Sequence, residues 1–115
     1  MAGRVVLERY AGNPILGPIP ANFWEAQNVS NAGATIYNGK VHILYRAEGF
    51  EKRWCTANHY PITRLGLATS IDGFTIDERK SDFVLAPVEY KDRDAGGFGE
   101  HGIQDPRIAK IDDTY

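Results

Sequence analysis

A single cysteine, Cys55, is all the thiol this 115-residue chain holds. It can form no internal disulfide, which points to a reducing, cytoplasmic setting. Positive charge is not in excess either: 13 basic residues stand against 15 acidic ones, a formal net charge of −2. That balance cannot neutralise a phosphate backbone and argues against nucleic-acid binding. No apolar run approaches the roughly 20 residues that span a bilayer. The N-terminal Met1-Ala-Gly-Arg-Val-Val-Leu-Glu-Arg has too short an apolar stretch for a secretory leader, so no membrane association is expected. A sustained 3.6-residue apolar period is also missing, so no long helix is expected.

What is present is a chain with 43% apolar and 24% charged residues, ordinary for one globular domain. Its 12 glycines and 6 prolines break it into short pieces rich in β-branched and aromatic residues. That pattern reads as strands joined by turns, an all-β protein. Asn13-Pro-Ile-Leu-Gly-Pro-Ile-Pro20 is a proline-set extended lead-in. Phe23-Trp-Glu-Ala-Gln27 reads as a single helical turn or a loop. The clearest element is a hairpin in which Ala34-Thr-Ile-Tyr37 and Val41-His-Ile-Leu-Tyr45 flank Asn38-Gly39-Lys40. Asn-Gly tolerates the positive φ that a tight hairpin needs. Alternation puts Val41, Ile43 and Tyr45 on one face and His42, Leu44 and Arg46 on the other.

A polar stretch, residues 48–63, separates this hairpin from a strand at Leu65-Gly-Leu-Ala-Thr69. Ser70-Ile-Asp-Gly-Phe74 makes a turn leading into a short strand from Phe74. Phe83-Val-Leu85 is an apolar patch, and residues 89–102 form a charged, glycine-rich loop. The last stretch, from Asp105 to Tyr115, reads as a strand, a turn and the start of another strand. A shift of 74 residues lays Asn31 on Asp105, Ala34 on Ile108, and Asn38-Gly39 on Asp112-Asp113. The unit so repeated is a four-stranded sheet plus a long loop, the form of a β-propeller blade. One such unit and the start of a second cannot close a ring, and repeat architectures need several units to cover their core. The reading is therefore that residues 1–115 are the N-terminal part of a single β-propeller domain continuing past Tyr115, about one and a half blades. A complete small β module is the plainer alternative.

Three residues are candidates for chemistry. Asp105 stands before Pro106, beside the glycine-rich loop, where a fixed carboxylate suits general acid work; it could equally cap local backbone in an Asx turn. Arg46 ends a strand and offers a fork of donors for sugar hydroxyls or an anion; it could equally form a surface ion pair with Glu48 or Glu51. Asn31 has the donors and acceptors that sugar hydroxyls require, or is simply a turn residue. Phe23, Trp24, Trp54 and Tyr60 can stack on a sugar ring or serve packing. Gly96-Gly97-Phe98-Gly99-Glu100 lacks the ending of a phosphate loop, and there is no Gly-x-Ser-x-Gly elbow. Lys91-Asp-Arg-Asp94 reads as a solvated loop. His42, His59 and His101 share no metal-ligand spacing with Cys55. No metal or organic cofactor is expected.

Five blocks in the same order resemble the opening of glycoside hydrolase family 130. They are Asn13-Pro-Ile-Leu-Gly-Pro; Trp24-Glu25 with Val29-Ser-Asn-Ala-Gly33; Asn38-Gly-Lys-Val-His-Ile-Leu-Tyr-Arg-Ala47; Arg64-Leu-Gly-Leu-Ala-Thr-Ser-Ile-Asp-Gly-Phe74; and the stretch from Gly102 through Asp105-Pro-Arg to Tyr115. The resemblance implies a five-bladed β-propeller of roughly three hundred residues. It implies enzymes that cleave β-mannosides, mostly by inverting phosphorolysis to mannose 1-phosphate, with β-mannoside oligosaccharides and inorganic phosphate as co-substrates. Some relatives hydrolyse instead. By the same resemblance Asp105 is the sole catalytic carboxylate, a general acid whose proton reaches the glycosidic oxygen through a mannose hydroxyl. Asn31 and Arg46 hold the mannose. One acid is chemically sufficient, because phosphate, unlike water, needs no base to activate it. The family's phosphate-binding basic residues fall outside these blocks. Two departures stand out: Gln104 where the family commonly has Glu, which should ease ionisation of Asp105, and Ala32 where serine or proline is usual. Taken alone, the 115 residues are expected to show no turnover, and self-association into a homo-oligomer through open sheet edges stays open.

Overall fold

The computed structural model describes residues 3–53, 60–86 and 102–115. Among these there are strands, turns and bends and no helix, so no helix is long and apolar enough to cross a membrane. Four strands follow one another: β1 (Asn28–Tyr37), β2 (Lys40–Arg53), β3 (Tyr60–Ser70) and β4 (Glu78–Arg79). They form one antiparallel sheet in the order β1-β2-β3-β4. The all-β expectation holds. The segment at Phe23 to Gln27 is a run of turns rather than a helical turn.

The β1–β2 hairpin closes where Asn-Gly directs it. Asn38 and Gly39 have φ of 52° and 75°, and Tyr37 pairs with Lys40, so the loop holds two residues and Lys40 belongs to β2. Strands β2 and β3 run further than the polar stretch suggested. After a register shift, Lys52 pairs with Pro61 and Arg53 with Tyr60. Backbone pairing holds these arms without apolar alternation, so sequence pattern does not report them. Trp54, Cys55, His59, the residues 89–101 with their glycines, and the Lys91 to Asp94 run lie outside the described residues.

The strand expected from Phe74 starts only at Glu78. Asp72 is the reason. Its carboxylate accepts the N–H groups of Thr75 and Phe74, each at 2.8 Å, and those bonds hold it below the usual carboxylate range. Ser70 Oγ takes the Gly73 N–H at 2.8 Å. The chain is thus tied into a loop until Asp77 donates to Thr69 O at 2.9 Å. The edge then breaks around residues 81–83 and resumes where Val84 donates to Leu65 O at 2.8 Å.

The core lies on the Ile43–Tyr45–Ala47 face of β2. Trp24, Tyr45, Ala47 and Ala68 form it, with Leu16, Val29, Ile76 and Phe83 packed around them. Trp24 stacks on Tyr45 at 6.3 Å between centroids and meets Phe83 edge-on at 6.1 Å. It is 2% exposed, which removes it from the sugar-stacking candidates. Truncating such a side chain to alanine costs about 3–5 kcal/mol. Gly66 faces Tyr45 across the ladder, and a Cβ there would run into the Tyr45 ring. Phe23 is exposed but lies under the Arg64 guanidinium, 5.3 Å from ring centroid to carbon.

The 74-residue repeat is written in the backbone. Asn31 and Asp105, 74 apart, share φ of 48° and 50°, and Asn38 and Asp112 share 52° and 53°. The Tyr37–Lys40 pair recurs as Ile111–Thr114. The strand expected after Asp105 is not formed: residues 103–110 carry no ladder, and only the turn at Asp112-Asp113 closes. An antiparallel ladder needs a neighbour on that side, and none is present among the described residues.

Candidate functional site

Strand β1 is bulged at its middle. Ser30 pairs with Arg46 and Gly33 with Leu44, so Asn31 and Ala32 together face the single residue Tyr45. A bulge of this kind bends the strand and re-aims a side chain. Asn31 takes the left-handed conformation, which asparagine tolerates better than most residues. Its amide consequently reaches off the ladder. The following Gly33 admits the second repeat: a Cβ there would sit 2.7 Å from Pro106 O. That close approach delivers the neighbouring Asp105, also left-handed, to the same spot.

Asn31 Nδ2 donates to Asp105 Oδ1 at 2.9 Å. Arg46 Nη1 donates to the same oxygen at 3.4 Å. Residues separated by 59 and 74 positions thus converge on one carboxylate. Asp105 keeps 47% of its side-chain surface in solvent, against 21% for Arg46. The Asn31 hydrogen bond first, and then the bond and charge of Arg46 with a further contribution from Arg107, hold the Asp105 carboxyl below the usual range, partial desolvation opposing them. The direction is the one anticipated from Gln104, but its carriers are Asn31 and the arginines. Asp105 Oδ1 reaches across to β1 and β2.

The ion-pair alternative for Arg46 is present as well. Arg46 Nη2 pairs closely with Glu48 Oε1, while Arg46 Nε is buried with no hydrogen-bond partner among the described residues. Glu48 is itself buried, its Oε2 lying 3.4 Å from Asn28 Nδ2. The site is therefore a polar chain from Asn28 through Glu48 and Arg46 to Asp105 and Asn31. Asn28 was not a candidate from sequence, and Glu48 figured only as a surface partner. The period-2 alternation along β2, which puts Glu48 and Arg46 on one face, is the signal that could have found Glu48.

Beside the bulge a cavity of about 500 Å³ is lined mainly by apolar side chains, among them Pro14, Leu16, Val29 and Ile43, and also by Asn31. Arg46 and Asp105 do not line it. Among the described residues no three His, Cys, Asp or Glu gather to hold a metal ion. A carboxylate half in water, between a neutral amide and a guanidinium, can exchange a proton and can share its two donors with the hydroxyls of a sugar.

Comparison with known proteins finds mannoside phosphorylases and glycoside hydrolases. No protein-family profile matches the chain. It is 32% identical over 111 residues to a 1,2-β-oligomannan phosphorylase of Thermoanaerobacter sp. (strain X514), covering 96% of this chain and 34% of that protein. A β-1,2-mannobiose phosphorylase of the same organism is 31% identical, over 95% of this chain and 35% of its own length. The chain thus spans about a third of the length of these curated relatives. Among solved structures, a glycosyl hydrolase from Bacteroides ovatus superposes with a TM-score of 0.72 at 33% identity, covering 91% of this chain and 31% of that one. Another, from work on mannoside phosphorylases of family 130 and their hydrolase members that target β-1,2 mannosidic linkages in Candida mannan, gives 0.69 at 31% identity, over 88% and 30%. With sequence and fold in agreement over nearly all of its residues, the chain belongs to glycoside hydrolase family 130.

Proposed function

We propose that the polypeptide carrying this chain is a five-bladed propeller enzyme that cleaves β-mannosides by inverting phosphorolysis. In this reading Asp105 is the general acid and Asn31 and Arg46 bind the mannose. The convergence of an amide, a guanidinium and a carboxylate on one oxygen is the observation that carries it. The relatives' names extend the proposal to β-1,2-linked mannosides. An oxygen of inorganic phosphate forms the bond to the anomeric carbon as the bond to the leaving sugar breaks. The electron pair of that bond goes to the departing oxygen, which receives the proton released by Asp105. The products are mannose 1-phosphate and the shortened sugar.

A general acid must carry its proton, and the sugar-free arrangement favours the carboxylate. Substrate reverses this bias. A mannose seated on the site takes water from Asp105 and engages Asn31 and Arg46 through its hydroxyls. Both changes raise the carboxyl again. Binding of sugar and uptake of a proton are thereby linked.

Hydrolysis is the second reading, favoured by the family member whose described targets are cleaved by glycoside hydrolases. Phosphate dependence separates the two. In the complete polypeptide, β-1,2-mannobiose with phosphate should give mannose 1-phosphate, and omission of phosphate should stop turnover. Asp105→Asn should lower kcat/KM by about 10²–10⁴-fold with the fold intact. Undiminished activity in that variant removes Asp105 from the acid role, and mannose released without phosphate establishes the hydrolytic reading.

A further inference from the structure

We infer that Glu48 is a positioning residue of this site: it anchors the Arg46 guanidinium so that a single Nη1 contact faces Asp105. The inference rests on the reading of Asp105 and Arg46 above, to which it adds a third member. Arg46 and Glu48 are two apart on β2 and share a face, while Asp105 arrives from the second repeat. The guanidinium lies between two carboxylates. Its Nη2 is closely paired to Glu48, and its Nη1 reaches Asp105 only at 3.4 Å. Its Nε is buried without a partner among the described residues, so no bond along the stem fixes its rotation. The two end contacts do so, and the Glu48 end is the tighter.

Glu48 is in turn fixed from behind. Its carbonyl accepts the Gln27 N–H at 2.9 Å. Its backbone pairs with Asn28 on one side and Thr63 on the other. The next residue, Gly49, lies so close to the Phe23 carbonyl that a Cβ would collide with it. The side chain of Glu48 is only 11% exposed. An anchor held this firmly has a chemical consequence. Guanidinium and carboxylate prefer a two-pronged contact. Left to itself, Arg46 would close on Asp105 with both Nη groups and hold it ionised. With one prong held by Glu48, Asp105 stays available to a proton and Arg46 stays available to a hydroxyl. Among the described residues, the groups around Asp105 are Asn31 from β1, Arg46 and, behind it, Glu48 from β2, and Arg107 from its own segment.

The test is Glu48→Gln in the complete polypeptide, with the Asp105 carboxyl followed by ¹³C NMR across pH. The Asp105 titration should move to lower pH by up to about one unit, and the high-pH limb of kcat/KM should move with it. In an Arg46→Met background the same substitution should shift Asp105 by less than half as much. An unmoved titration overturns the proposal. An equal shift without Arg46 also overturns it, by showing only direct repulsion between Glu48 and Asp105. If Glu48→Gln fails to fold, Glu48→Asp keeps the charge on a shorter stem and should give a smaller shift in the same direction; a wild-type titration there counts against the anchor. The NMR readout does not depend on Asp105 being the acid, so retained activity in Asp105→Asn would sink the mechanism and leave this test standing.

Discussion

Two neighbouring residues of β2, Tyr45 and Arg46, point to opposite faces of the sheet, and each belongs to a cluster containing an arginine and a carboxylate. Behind Tyr45 the cluster is closed. Glu25 is fully buried. It takes Arg79 Nη2 at 2.5 Å, Tyr45 Oη at 2.9 Å and Asn22 Nδ2 at 2.6 Å. Arg79 Nε donates to Tyr45 Oη at 3.1 Å, and the Arg79 guanidinium lies 5.1 Å from the Tyr45 ring. Around Arg46 the cluster is open: one carboxylate is anchored, the other half in water, and one guanidinium nitrogen lacks a partner. The same functional groups therefore saturate one another on one face and leave contacts unfilled on the other. Saturation is the difference. Tyr45, the residue opposite the bulge, joins the two, because the closed cluster braces the strand position from which Asn31 projects.

The comparison can be broken most sharply at Glu25. Glu25→Gln keeps the shape of the side chain but leaves the Arg79 charge without its partner. It should destabilise the protein by about 3 kcal/mol or more in urea unfolding, whereas Asp105→Asn should leave the unfolding midpoint nearly unchanged. A comparable loss from both would show that the open cluster is structural too.

Alkaline pH gives the next largest contrast. Burial, with Glu25 beside it, pushes the Tyr45 hydroxyl up to about 12, Arg79 opposing. A group raised in the folded state contributes fully below its unfolded value, near 10, and loses that contribution as pH climbs to its folded value. Stability should therefore fall by about 2–3 kcal/mol between those limits, with the Tyr45 share of the tyrosinate absorbance appearing only as the fold is lost. Tyr45→Phe should flatten this dependence. Asp105 has the opposite sign: its small contribution exists above the ordinary carboxylate range and fades as pH falls.

The smallest effect is expected at Asn31. Asn31→Gly suits the positive φ and should change stability by only a few tenths of a kcal/mol. It removes the bond that does most to hold the Asp105 carboxyl down. The Asp105 titration by ¹³C NMR should therefore move toward higher pH, and an unchanged midpoint would assign the depression to the arginines.

The hairpin was legible because Asn38-Gly39 specifies its own turn, and the meeting of Asn31 with Asp105 was foreshadowed by the 74-residue spacing between them. The bulge was not, since Asn31-Ala32 contains no glycine to mark a left-handed residue. Nor was the closed cluster: Glu25 and Arg79 are 54 residues apart, and a pair so distant leaves no local pattern. The long arms of β2 and β3 were hidden for a related reason, because polar residues on both faces erase the alternation by which a strand is read.

Asn31 and Asp105 stand at matching positions of the 74-residue spacing, with nearly the same φ. They differ only in an amide against an acid. A gene that lengthens by duplication inherits such a position already aimed, so the acid proposed here needs only one changed group, its amide twin serving as the neutral hand that steadies it.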